Sequence, residues 1–320
     1  MPDRPVLLID GLNIFMRHFV VNPALSESGF HVGGAVGFLN SIKHLSNRIG
    51  PSRIIVAWEG GGSSRRRTIF KDYKQGRRPQ RLNRYYKDDL PDTVENRDDQ
   101  ISLIIDLLKN THVEQIYVSD CEADDIISYL SQDVFKDKRI VIASSDKDLY
   151  QLLSKRIIQW SPGQKKFITV KDVKNKFGIS STNFCTARCF VGDASDGLPG
   201  VPRAGFATLS KRFPELQKNE FMSVEDIVEL SKKRLENSKI LVYNSIVENK
   251  DIAKRNWKLM YLSTNTLSES QVRKIDFLLD ENNNNPNKLE LIRKIMKFGI
   301  KNFDVDGFYS SILVTRRSTH

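Results

Sequence analysis

Nine acidic side chains, Asp10, Glu59, Glu122, Asp124, Asp125, Asp146, Asp148, Asp193 and Asp196, carry the first chemical signal in the chain. Most of them fall in short groups: CEADD at residues 121–125, SSDKDL at 144–149 and GDASDGLPGVP at 192–202. Taken singly, each group has a dull explanation, because carboxylates cap helix N-termini and Asp-rich turns are common. Together they are harder to dismiss. Two like charges about 4 Å apart repel by about 1 kcal/mol in water and about 4 kcal/mol at an effective dielectric of 20, so such a cluster needs cations among it. Hard oxygen ligands suit Mg²⁺ or Mn²⁺, and none of His18, His31, His44, His112 and His320 stands beside a group, which disfavours zinc. Two such ions about 3.5 to 4 Å apart are the usual device for in-line attack on a phosphodiester. A structural calcium site is the bland alternative, but no EF-hand loop pattern is present.

The elements that must position these acids are legible as short apolar runs. Val6 to Ile9, Ile54 to Trp58, Ile116 to Val118, Ile140 to Ala143 and Ile157 to Trp160 read as buried strands, separated by helix-like segments such as Ala35 to Leu45. That alternation predicts an α/β fold with a parallel sheet. Asp10 and Glu59 directly follow the first and second runs, and Glu122 and Asp146 come within four residues of the third and fourth. In such sheets ligands bind beyond the carboxyl ends of the strands, so the acids are expected on one edge. After about residue 180 the pattern turns helical, with ENNNNPN at 281–287 as a polar turn or linker.

Positive charge frames this edge. Lysine plus arginine exceed aspartate plus glutamate by 50 − 39 = +11, with a pI near 9.4, which points to a polyanionic partner. Residues 63–87 hold ten basic residues against one acid, Asp72, with Phe70, Tyr73, Tyr85 and Tyr86 interleaved as base-stacking surfaces. A basic lid or arch over the acids is expected there. GLPGVPRAG at 197–205 joins two short helical segments, TNFCTARCFV and FATLSKRF, and a glycine hairpin of this kind lets backbone N–H groups approach phosphates without reading bases. Cys121, Cys185 and Cys189 lack CxxC spacing and read as buried reduced thiols; with no long apolar run, a cytoplasmic protein is expected.

The motifs IDGLN at 9–13, EADD at 122–125, SSDKDL at 144–149 and GDASDGLPGVPRAG at 192–205, in this order, resemble the metal-dependent 5′ nucleases or flap endonucleases. Within that family the chain is similar to the replication enzymes called ribonuclease H in T-even bacteriophages, which QWSP at 159–162 also matches. The resemblance covers roughly residues 5–210. It implies a PIN-like nuclease domain at 1–182 with a basic arch at about 63–98, a helix-hairpin-helix and helical part at 183–305, and a basic tail at 306–320. By the same resemblance Asp10, Glu59, Glu122, Asp124 and Asp146 would surround a first Mg²⁺, Asp148, Asp193 and Asp196 would hold a second, and Asp125 would lie in the outer shell. Mn²⁺ would substitute for either ion. Lys74 and Arg77 would face the scissile phosphate, while Arg65, Arg66, Arg67, Lys71, Arg78, Gly200, Arg203 and Gly205 would bind nucleic acid. Three departures stand out: Glu59 replaces the usual aspartate, the hairpin around Arg203 lacks the glycines and lysine of the family's K⁺ site, and the arch is short. The implied function is a 5′ to 3′ exonuclease and flap endonuclease that removes RNA primers during phage DNA replication, acting as a monomer. A single-strand DNA-binding protein or sliding clamp is the implied protein partner. Two other readings stay open: a non-catalytic forked-DNA-binding module and a PIN-type single-strand ribonuclease.

Overall fold

The computed structural model describes residues 4–75, 94–281 and 284–313. Six strands form one sheet: β1 (Val6–Asp10), β2 (Arg53–Trp58), β3 (Glu114–Tyr117), β4 (Ile140–Ala143), β5 (Ile157–Ser161) and β6 (Lys166–Ile168), in the spatial order β3-β2-β1-β4-β5-β6. The first five pair in parallel, and β6 returns antiparallel to β5. Every residue of β1 and of β4 is buried, so these strands appear in the sequence as unbroken apolar runs rather than alternating ones. β6 has three residues and an exposed lysine, and gives no such signal.

Helices cover both faces. The chain passes from α1 (Gly11–Val21) and α2 (Gly33–Ile49) through a short α3 (Ser64–Ile69) to α4 (Val94–Leu108), then to α5 (Ala123–Tyr129) and α6 (Val170–Phe177). The second half contains α7 (Phe184–Val191), α8 (Phe206–Arg212), α9 (Val224–Leu235), α10 (Leu241–Glu248), α11 (Lys250–Met260), α12 (Glu269–Glu281), α13 (Lys288–Lys297) and α14 (Val305–Leu313). On one face of the sheet Phe15, Phe38 and Leu107 of α1, α2 and α4 pack with Leu291 and Phe308 of α13 and α14. On the other face Ile126 of α5 meets Phe184 of α7 and Ile275 of α12. A third core joins α7 to α11 around Phe190, Leu209, Ile227, Ile246 and Leu259.

The packing of the helices crosses residue 182. Residues after it do not form one separate unit, because α12, α13 and α14 return to the sheet and complete its two cores. The expected basic tail begins as α14, with Phe308 and Ile312 fully buried; residues 314–320 lie outside the described residues. The polar run near 284–287 is likewise tied down, with Asn285 and Asn287 donating backbone N–H bonds to the carbonyls of Lys109 and Asn110 at 3.1 and 3.0 Å. Cys121, Cys185 and Cys189 are buried free thiols. Among the described residues no helix is long and apolar enough to cross a membrane.

Candidate active site

Because β2 and β4 flank β1 on opposite sides, the chain leaves the carboxyl end of the sheet in opposite directions and opens a crevice there. Asp10 closes β1 and caps α1: its Oδ1 accepts from the Asn13 N–H at 3.2 Å and its Oδ2 from the Ser144 hydroxyl at 2.9 Å. Gly11 follows because a Cβ there would lie 2.6 Å from the Trp58 ring. Glu59 leaves the end of β2, and Asp146 sits three residues beyond β4 in a turn where it accepts from the Asp148 N–H at 2.8 Å. Gln159, on β5, fixes that turn by donating to the carbonyls of Ser144 and Asp146, both at 2.8 Å.

The third acidic group is doubly employed. Glu122 is the N-cap residue of α5, and Asp124 and Asp125 lie in its first turn, as the helix dipole favours. Asp10, Glu59, Asp124, Asp146 and Lys74 line one cavity of about 420 Å³, with Leu12, Met16 and Val20 of α1 as its apolar wall. A wider neighbouring cleft carries Glu59, Asp146, Arg188, Asp193 and Asp196. The sheet edge therefore gathers Asp10, Glu59, Asp124, Asp146, Asp193 and Asp196 into two adjoining spaces, while Glu122, Asp125 and Asp148 line neither.

Their electrostatics is strained. Burial, with Asp146 nearby, pushes the Asp10 carboxyl up to about 7, and burial, with Glu122 and Asp124, pushes Glu59 up to about 8 despite Lys74. Asp148 rises to about 8 through burial and Asp146, although Arg188 opposes the shift. Asp193 moves the other way: burial is outweighed by the Ser195 hydroxyl and Arg188, which hold it below the usual carboxylate range. Glu122 Oε1 is buried and accepts no hydrogen bond within the protein. An all-oxygen donor set without histidine or thiolate is the kind that suits divalent hard cations. Among the described residues no three acidic, histidine or cysteine side chains already converge on one point.

Lys74 is brought in from the end of the α3 segment. Its Nζ donates to Glu122 Oε2 at 2.6 Å, and its N–H donates to the Asp196 carbonyl at 3.1 Å. Its φ of +60° is a left-handed conformation that non-glycine residues adopt uncommonly. Burial disfavours the charged amine, but Glu122, Asp124 and Glu59 outweigh it and keep Lys74 protonated.

Two expectations are overturned. Arg66 does not face nucleic acid: it is fully buried, with its Nη1 and Nη2 at 2.8 and 2.9 Å from the two Asp125 oxygens and its Nη1 also 2.8 Å from Glu122. A charge so deep requires partners, and the acids supply them. Tyr73 offers no stacking surface either, since it is buried with its hydroxyl donating to Glu122 Oε2 at 3.2 Å. Phe70 is half-buried beneath the Arg255 guanidinium, 4.5 Å from its ring centre. Arg65, Arg67 and Lys71 are exposed, while Arg77, Arg78, Tyr85 and Tyr86 lie outside the described residues. In the hairpin, Gly200 is needed for internal packing, since a Cβ would fall 2.0 Å from the Val191 carbonyl oxygen. Arg203 and Gly205 are exposed, and Gly205 has open space around it.

Sequence reasoning missed Arg188. It bridges Asp148, at 3.2 Å from its Nε, and Asp193, bonded through its Nη2, and also donates to the Gly192 carbonyl at 3.0 Å. Its signal was present: one arginine in an apolar helix, five residues before Asp193.

Residues 5–178 match the family described as the 5′-3′ exonuclease, N-terminal resolvase-like domain. The flap endonuclease Xni of Shewanella woodyi is 28% identical over 266 residues, covering 81% of this chain and 92% of that protein. The 5′-3′ exonuclease of Buchnera aphidicola is 28% identical over 247 residues, covering 75% and 81%. Among solved structures, a bacteriophage T5 flap endonuclease in a pseudo-enzyme-product complex with DNA and metal ions superposes with a TM-score of 0.65 at 17% identity, covering 98% of this chain and 99% of that one. The family match spans more than half of the chain, and the fold agrees with it over nearly the whole length. The chain therefore belongs to the 5′-3′ exonuclease family and is a nuclease, a hydrolase of phosphodiester bonds.

Proposed function

We propose that the protein is a metal-dependent 5′ nuclease that cuts flapped or duplex DNA, and RNA paired with DNA, from the 5′ side, leaving a 5′ phosphate and a 3′ hydroxyl. The observation that carries this reading is the cavity shared by Asp10, Glu59, Asp124, Asp146 and Lys74 at the sheet's carboxyl edge. The T5 flap endonuclease, which shares the fold, was solved with both DNA and metal ions.

Two divalent ions, Mg²⁺ with Mn²⁺ as substitute, supply an activated water and stabilise the leaving oxygen when bound. Asp10, Glu59, Glu122, Asp124 and Asp146 are the residues that would hold the first, Glu122 Oε1 having no hydrogen-bond partner within the protein. Asp148 and Asp196 would hold the second. Asp193 would reach it through water, because Ser195 and Arg188 already occupy both of its oxygens. Lys74 places a fixed positive charge beside the acids, where negative charge develops on the phosphate. Arg77, the other expected cation at the scissile phosphate, keeps that role as a proposal from the sequence. Arg65, Arg67 and Lys71 on α3 and its following turn, with Arg203 and Gly205 of the hairpin, would hold the phosphate backbone without reading sequence. Removal of RNA primers is the biological task this substrate range serves.

The test uses an RNA-primed DNA duplex and a matching 5′ flap, each incubated with the protein in Mg²⁺ and in EDTA. Metal-dependent release of short 5′ fragments is expected. Tight binding without product, in Mg²⁺ and Mn²⁺ alike, would overturn the reading in favour of a junction-binding protein.

A further inference from the structure

The last turn of α11 and the two residues beyond it bond to the segments that carry Glu122, Asp125, Asp146 and Asp148. Arg66, the partner of Asp125 and Glu122, donates from Nε to the Leu259 carbonyl at 2.9 Å. Ser128, on the helix that Glu122 caps, donates to the Leu262 carbonyl at 3.2 Å. Gln151 closes the turn that bears Asp146 and Asp148: its Nε2 donates to the carbonyls of Asp148 and Met260 at 2.7 and 3.0 Å, and its Oε1 accepts from the Leu262 N–H at 3.0 Å. Three side chains from three separate segments thus converge on four residues of backbone.

One turn earlier, α11 is pinned to the glycine hairpin. Asn256 is fully buried, and its Nδ2 donates at 2.9 Å to both the Cys189 carbonyl, near the end of α7, and the Pro199 carbonyl, within the hairpin. Its Oδ1 accepts from Arg255 at 2.9 Å, and that same guanidinium lies over Phe70 at the end of α3. A buried amide with all its bonds made to backbone carbonyls and one neighbour fixes relative position rather than chemistry. A helix is also stiff over this short distance, rising about 1.5 Å per residue.

We propose that α11 is a ruler, with Asn256 and Gln151 as its positioning residues, that fixes the distance between the hairpin and the acids and so selects which phosphodiester is cut. The inference rests on the proposed function, in which the hairpin grips the duplex. If the grip and the acids were free to shift against each other, neighbouring phosphates would enter the metal site in turn. With both joints intact, one phosphate is presented.

The test maps cut positions at single-nucleotide resolution on a 5′-flapped duplex labelled at the 3′ end of the cut strand, in Mg²⁺, for the wild-type protein, Asn256→Leu and Gln151→Leu. Melting curves confirm that each variant is folded, and flap affinity is measured in EDTA. The wild-type protein is expected to cut mainly at one phosphodiester. Each folded variant is expected to bind the flap comparably and to spread its cuts over adjacent positions. A merely structural role would lower the melting temperature and the rate while leaving the cut position sharp, and that result overturns the ruler, as does a wild-type protein that scatters its cuts. Should Asn256→Leu fail to fold, Gln151→Leu decides alone, since it loosens the other joint. A wild-type protein that cuts neither flap nor primed duplex fails the proposed function itself, visible in its own lane, and the ruler falls with it.

Discussion

The flanks of the acidic crevice and its mouth are built from the same residue types and are treated in opposite ways. On the flanks, Arg66 grips Asp125 through two bonds and Arg188 holds Asp193 below the usual carboxylate range, while Asp148, which shares Arg188, still rises to about 8 and stands between the two regions. At the mouth, Asp10 and Asp146 accept from neutral donors, and burial and their neighbours drive Asp10 up to about 7 and Glu59 up to about 8. Fixed guanidinium groups hold shape, whereas carboxylates left short of positive charge favour exchangeable cations. An acid-rich motif therefore mixes two jobs, and only the partners separate them.

Substitutions should divide along the same line. The largest kinetic effect is expected at the mouth: Asp146→Asn should slow cleavage by at least about a thousandfold, or about 4 kcal/mol on the barrier, while duplex affinity in EDTA holds. Steady-state rates and gel-shift titration measure the two. A variant that cuts at the parent rate would break the contrast. On the flank, Arg66→Met should act on stability, since it strands the buried Asp125 without its cation at a cost of about 3 kcal/mol, while Glu122 keeps Lys74 and Tyr73; denaturant unfolding reads the loss. An unchanged unfolding midpoint would mean that the buried guanidinium is not the support it looks to be. Lys74 joins the two regions, through Glu122 on one side and the cavity on the other. Lys74→Ala should cost more than about tenfold in rate, 1.4 kcal/mol; a smaller loss would confine it to the flank.

How much of this was legible follows the same division. The strands Val6–Asp10 and Ile140–Ala143 were readable because burial on both faces leaves unbroken apolar runs, and the acids at their ends followed from parallel-sheet geometry. The arginine-rich α3 misled. Arg65, Arg66 and Arg67 look equivalent in sequence, yet helical geometry turns only Arg66 inward, where Asp125 and Glu122 wait. Long-range pairing of that kind leaves no local pattern. Arg188 left a local trace, a lone arginine in an apolar helix just before Asp193, but its pairing with Asp148 forty residues earlier left none. The return of α13 and α14 to the sheet was equally invisible, because an amphipathic helix shows that it has a partner but not which one.

The last expected effect is thermodynamic and tests the mouth directly. In metal-free protein, Asp10 and Glu59 titrate near 7 and 8 when folded, and near ordinary carboxylate values when unfolded. Between about pH 4 and pH 8 the folded state therefore holds more protons than the unfolded one. Stability then falls as pH rises through this window, because the unfolded chain is the one that releases protons first. Metal binding has the opposite dependence, since the ligands must be ionised to coordinate, so the gain from saturating Mg²⁺ should grow from pH 6 to pH 8. Melting temperatures in EDTA and in Mg²⁺ across that range measure both trends. If the EDTA curve climbed instead and Mg²⁺ added nothing at pH 8, the mouth would be as neutralised as the flanks, and the division between fixed and exchangeable cations would not hold.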